Sequence, residues 1–84
     1  MIKKYMLFFT PACPNCKKIK DFMSLIKLEK ELVDASTPKG LERAKEFKIM
    51  NVPSVIFFDE NNNEVSRAFS VDEVKNIVEN KHLV

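Results

Sequence analysis

Two stretches of this chain are apolar at nearly every position: the second half of IKKYMLFF (2–9) and the middle of SVIFFDE (54–60). A strand on a half-solvated sheet alternates apolar and polar residues, whereas a strand covered on both faces reads as a continuous apolar run. Two such strands demand a sheet with layers packed on each side. With 84 residues there is room for one domain, over 1–84, and 45% hydrophobic residues with seven Phe suffice for a modest core. Chains of this size bury only ~60–65% of their unfolded surface, which leaves little for mobile insertions.

The covering layers are legible between the strands. From Pro14 onward Cys16, Ile19, Phe22, Met23 and Ile26 recur at three- and four-residue spacing with polar residues between them, predicting a helix of about 14 residues. Pro14 suits its first turn, where a missing N–H costs nothing. ELVDA (31–35) reads as a short strand. Thr37 and Pro38 read as N-cap and first residue of a second helix that turns Leu41, Ala44 and Phe47 inward. Gly40, the sole glycine, weakens that helix slightly. NNN (61–63) reads as a turn, EVSRAF (64–69) as the returning hairpin strand, and Ser70 with Glu73 as a capping box. Val74, Ile77 and Val78 form the inner stripe of a last helix. The expected fold class is α/β, β-α-β-α-β-β-α. Strands of the first half should be parallel, the last hairpin antiparallel, and the four-stranded mixed sheet covered by helices on both faces.

Fourteen basic against twelve acidic residues give too balanced a charge to call for nucleic acid or a membrane surface. MIKKYMLFFTP imitates the start of a secretory signal, but its apolar run stops at Thr10 and Pro11 without the roughly 7–15 residue core and cleavage site of a leader. The expectation is a cytoplasmic protein, where a permanent disulfide between two cysteines is disfavoured.

The only two cysteines stand three apart in FFTPACPNCKK (8–18). Cys13 falls at the strand-to-helix junction and Cys16 one turn inside the helix. The first amides of a helix lack internal acceptors and carry partial positive charge, so a thiolate at Cys13 is stabilised there, with Lys17 and Lys18 adding to the field. Cys16, held back in the helix, stays protonated until it attacks a mixed disulfide formed at Cys13. Other chemistries stay open on spacing alone. Zinc wants four ligands, and the chain offers two Cys and His82. An iron–sulfur cluster bridging two subunits needs ligands from elsewhere. An inert buried pair sits poorly with Pro11 and Pro14, which mark a surface loop.

A second stretch, FKIMNVPSVIFF (47–58), sharpens the choice. Together with CPNCK, its Val52-Pro53-Ser54-Val55 leading into an apolar strand resembles the thioredoxin superfamily, and the element order carries the resemblance over essentially the whole chain. The resemblance implies the thioredoxin fold and a cis Val52–Pro53 bond beside the cysteines. It implies Cys13 as nucleophile, Cys16 as resolving thiol and Pro53 as the residue that orients substrate, with the Val52 backbone pairing with an extended peptide. Candidate substrate-contacting residues are Pro11, Ala12, Pro14 and Asn15 around the cysteines, and Met50 and Val52 around the proline. Leu7 stands where full-length thioredoxins carry a buried acid. The short element order looks like a glutaredoxin, yet RAFSVDE (67–73) lacks the glycine pair that helps hold glutathione, and Asp72 alone matches an acid used near the glutathione amine. TPACPNCKK looks most like the small glutaredoxin-shaped thioredoxins of anaerobic bacteria and archaea, some of them linked to ribonucleotide reductase.

The implied function is a thiol–disulfide oxidoreductase that reduces protein disulfides without a bound cofactor. Its electrons would come from a thioredoxin-reductase-like enzyme or another thiol donor, and it would act as a monomer. The rivals are a glutathione-dependent glutaredoxin and a non-catalytic iron–sulfur or metal-binding module. Thr10 reads as a turn residue, Lys17, Lys18 and Lys20 as a solvated face or a dock for acidic partners, and His82 as a surface residue.

Overall fold

A computed structural model describes residues 2–80. The chain runs β1 (Ile2–Phe9), α1 (Pro14–Met23), β2 (Glu29–Asp34), α2 (Pro38–Glu46), β3 (Ser54–Asp59), β4 (Glu64–Ala68) and α3 (Val71–Asn80). The four strands form one mixed sheet in the order β2-β1-β3-β4. β1 and β2 are parallel, while β3 runs antiparallel to both β1 and β4.

The two apolar runs are the two central strands, and their alternation separates two cores. Tyr5, Leu7, Val55 and Phe57 face one way, against Ile19 and Met23 of α1 and Val74 of α3. Met6, Phe8, Ile56 and Phe58 face the other way, against Val33 and Ala44, with Phe47, Ile49 and Val52 closing the layer. An irregular register between Ile2 and Lys4 turns Ile2 to the α1/α3 side with Tyr5.

Several element boundaries and faces differ from those the sequence predicts. α1 spans 10 residues, because Ser24 caps it: its N–H reaches the Lys20 carbonyl, and its hydroxyl donates to the Asp21 carbonyl at 2.6 Å. Ile26 still packs on the core, held by a tight turn in which its N–H reaches the Met23 carbonyl. β2 begins at Glu29, two residues early, because pairing with β1 and not hydropathy sets its start. Leu41, expected inward, is 48% exposed. Gly40 is buried instead: a Cβ there would lie 1.7 Å from the Asp34 carbonyl oxygen, so the helix touches β2 at a point only glycine fits. Its N–H donates to the Thr37 hydroxyl at 3.0 Å, which confirms Thr37 as N-cap ahead of Pro38. β4 stops at Ala68, leaving Phe69 outside the strand. The Asn62 φ of 63° and the Ser70 hydroxyl accepting the Glu73 N–H at 3.2 Å match the expected turn and cap.

α2 ends in a reversal that matters for the site. Lys48 adopts a φ of 56°. Its N–H reaches the Lys45 carbonyl at 3.1 Å and the next N–H, Ile49, reaches Ala44 at 2.8 Å, the double closure of a Schellman motif. The segment that follows carries the chain to the top of β3.

Candidate functional site

The register of the central strands determines what meets at this end of the sheet. Phe8 pairs with Ser54, so Pro53 lies level with the end of β1, from which the cysteine loop departs. Val52–Pro53 is cis, and Pro53 is buried. The loop is tied at its base by Ser54, 1% exposed, whose hydroxyl donates to the Asn51 carbonyl at 2.6 Å. Ser54 figures in the sequence only as part of the proline motif, with no role of its own; its position after the proline, at the head of an apolar strand, is the available signal. Among the described residues, Val52 enters none of the backbone hydrogen bonds made by turns and loops.

Cys13 is the N-cap of α1, with φ −89° and ψ 112°, and Pro14 follows at the first helical position. Its own N–H is tied to the Thr10 carbonyl at 3.2 Å, so Thr10 closes the turn through Pro11 and Ala12. The Cys13 sulfur accepts the Cys16 backbone N–H at 3.2 Å, using one of the amides that the helix start leaves without an internal acceptor. Both cysteines are free thiols, Cys13 half-buried and Cys16 buried. Burial pushes the Cys16 thiol from its ordinary 9.0 up to about 11, helped by its hydrogen bond to the Cys13 sulfur and opposed by a backbone bond from Thr10. The pair is therefore asymmetric: one sulfur reachable and supplied with an N–H, the other enclosed and held as the thiol.

Two grooves flank this centre. One, of about 400 Å³, is lined by Phe9, Pro11, Cys13, Cys16, Lys17, Lys20 and Asp21. The other, of about 260 Å³, is lined by Asn15, Lys18, Pro53, Phe69 and Asp72. Pro11, Ala12, Pro14 and Asn15 are all exposed around Cys13. Met50 is 89% exposed but lines neither groove, and half-buried Val52 packs partly into the core on the α2 side. Phe69, 48% exposed, is a groove residue that sequence patterning assigned to a strand; only the end of β4 at Ala68 releases it. His82 lies outside the described residues. Among the described residues no three His, Cys, Asp or Glu side chains gather where they could hold a metal, and no helix is long and apolar enough to cross a membrane.

No family model matches the chain, and no curated protein matches it in sequence. Solved structures do match. Thioredoxin 1 of the thermophilic bacterium Thermosipho africanus is 26% identical, with a TM-score of 0.72 over 92% of this chain and 91% of that one. Spinach chloroplast thioredoxin f superposes with a TM-score of 0.76 at 22% identity, over 94% of this chain and 76% of that one. Thioredoxin O2 of Arabidopsis thaliana gives 0.75 at 17% identity, over 94% and 74%. The last two show likeness of fold alone.

Proposed function

We propose, from the likeness to thioredoxin 1 of Thermosipho africanus and from the Cys13–Cys16 pair, that this chain is a thiol–disulfide oxidoreductase of the thioredoxin superfamily that reduces protein disulfides through these two cysteines. The observation that carries this reading is the asymmetry of the pair at the start of α1, where the half-buried Cys13 sulfur accepts the Cys16 N–H and Cys16 itself is enclosed.

In this scheme an extended substrate segment lies along Val52, whose backbone is free to pair with it as a sheet edge does. The Cys13 thiolate, stabilised by the Cys16 N–H, attacks one substrate sulfur. The other sulfur leaves and takes up a proton, and a mixed disulfide remains on Cys13. Cys16 then loses its proton, attacks the Cys13 sulfur and releases the second substrate thiol. The substrate disulfide gains two electrons and the protein dithiol loses two, ending as a Cys13–Cys16 disulfide. Pro53 has no N–H to donate toward the sulfurs. Pro11, Ala12, Pro14, Asn15 and Met50 offer the exposed surface round the reacting bond. A thioredoxin-reductase-like enzyme or another thiol donor in the cytoplasm would restore the dithiol, with ribonucleotide reductase as one acceptor suggested by the CPNC resemblance.

The test uses two variants in an insulin-reduction assay with dithiothreitol as donor. Cys13→Ser is expected to abolish the protein-dependent rate, and Cys16→Ser, reduced beforehand and freed of dithiothreitol, to stall as a mixed disulfide with the substrate protein. A Cys13→Ser protein that still reduced insulin would end the proposal.

A second reading has one specific observation behind it. Lys18 and Asp72 line the same groove as Pro53, offering both charges to a small zwitterionic thiol such as glutathione. Turnover with glutathione and its reductase, compared with turnover by thioredoxin reductase, separates the two.

A further inference from the structure

The groove that holds both cysteines has a cationic character that the dithiol chemistry does not require. α1 carries Lys17, Lys18 and Lys20, all exposed, and has no acidic residue in its first turn. Lys17 and Lys20 wall the groove that contains both cysteines. Ion pairs among the described residues join Arg43 to Glu31 and Glu46, and Arg67 to Glu64; none engages these three lysines. Asp21, one turn along α1 from Lys17, is the single carboxylate of that groove, and it pairs with neither lysine. The Lys20 ammonium sits 5.2 Å from the centre of the Phe9 ring, an attraction that holds its charge against the groove wall. The groove thus presents two cations that enter no ion pair, against one carboxylate, over an apolar bed of Phe9 and Pro11 on the wall that holds both cysteines.

We propose that this groove selects disulfides whose cysteines are flanked by acidic side chains, the flanking carboxylates seating against Lys17 and Lys20. The inference rests on the disulfide-reductase reading and names the substrate class of that same site. Complementary charge at the rim of a site acts mainly on the encounter rate and weakens as salt screens it.

The experiment is a single-turnover reduction by protein that has been reduced beforehand and freed of reductant. Three peptides are compared, identical except that Glu, Ser or Lys flanks one intramolecular disulfide. Each rate is divided by that of the same peptide with dithiothreitol, which removes intrinsic differences in disulfide reactivity. At about 0.01 M salt, where charges act over ~30 Å, the Glu peptide is expected to react about tenfold faster than the Lys peptide. The ratio should fall toward one at ~1 M salt, where the range is ~3 Å, and also in the double variant Lys17→Gln/Lys20→Gln at low salt. Equal rates in the unaltered protein, a ratio indifferent to salt, or a ratio that survives the double substitution would each overturn the inference and leave disulfide reduction standing. Failure to reduce any of the three peptides would remove both.

Discussion

Two residues separate two sulfurs with opposite environments. Cys13 takes the Cys16 N–H at the open start of a helix, and Cys16 sits 2% exposed one turn later. Burial is the leading cause that holds Cys16 protonated to about pH 11. Unfolding frees it to ionise from its ordinary 9.0, so the folded state binds the proton more tightly. Its contribution to stability is therefore whole below pH 9 and lost as pH rises to about 11. A shift of that size corresponds to on the order of 3 kcal/mol. Tyr5, buried and raised above 10.0 by desolvation, acts in the same direction. Urea titrations of the reduced protein across this range should show the decline, and Cys16→Ala should flatten its lower part. Iodoacetamide at neutral pH should label Cys13 first and reach Cys16 only on unfolding.

At the scale of the element, α2 holds one glycine that cannot be replaced, and the reversal that closes it has one position where glycine is missing. Gly40→Ala drives a methyl into the Asp34 carbonyl, a backbone atom that cannot swing aside, and should cost about 3 kcal/mol, the upper end of overpacking penalties. Lys48 has the left-handed φ of 56° at the position where a Schellman motif usually carries glycine. Relief of that conformation in Lys48→Gly, less the extra entropy glycine loses, should stabilise the fold by up to about 1 kcal/mol. Both shifts are read from the urea midpoint. The pair also separates helix propensity from packing: propensity alone makes alanine the better residue at 40, and the close approach to β2 reverses that order.

For the molecule as a whole, the two cores share β1 and β3, so neither can melt without exposing the back of the other. Leu7, fully buried on the α1/α3 side, should cost about 2–5 kcal/mol as Leu7→Ala. The urea midpoint should fall with the slope unchanged, and fluorescence and circular dichroism should trace one transition. The same shared sheet delivers the site: β1 ends at the cysteine loop, and its pairing with β3 brings the proline loop level with it.

Local chemistry in the sequence was enough for much of this. Continuous apolar runs marked the central strands, because a strand buried on both faces has no polar position to spare. Thr37-Pro38, Ser70 with Glu73, the asparagine turn and Pro14 marked their helix starts and turns, because caps and turns are made by neighbours in the chain. Cys13, Cys16 and Pro53 were legible for the same reason, as short motifs. Tertiary structure decided what depends on distant partners. It set the start of β2 by pairing with β1, made Gly40 obligatory against Asp34, turned Leu41 outward, and released Phe69 to a groove at the end of β4. It also enclosed Cys16 while leaving Cys13 reachable, because burial is a property of everything packed around a residue and not of the residues beside it in the chain.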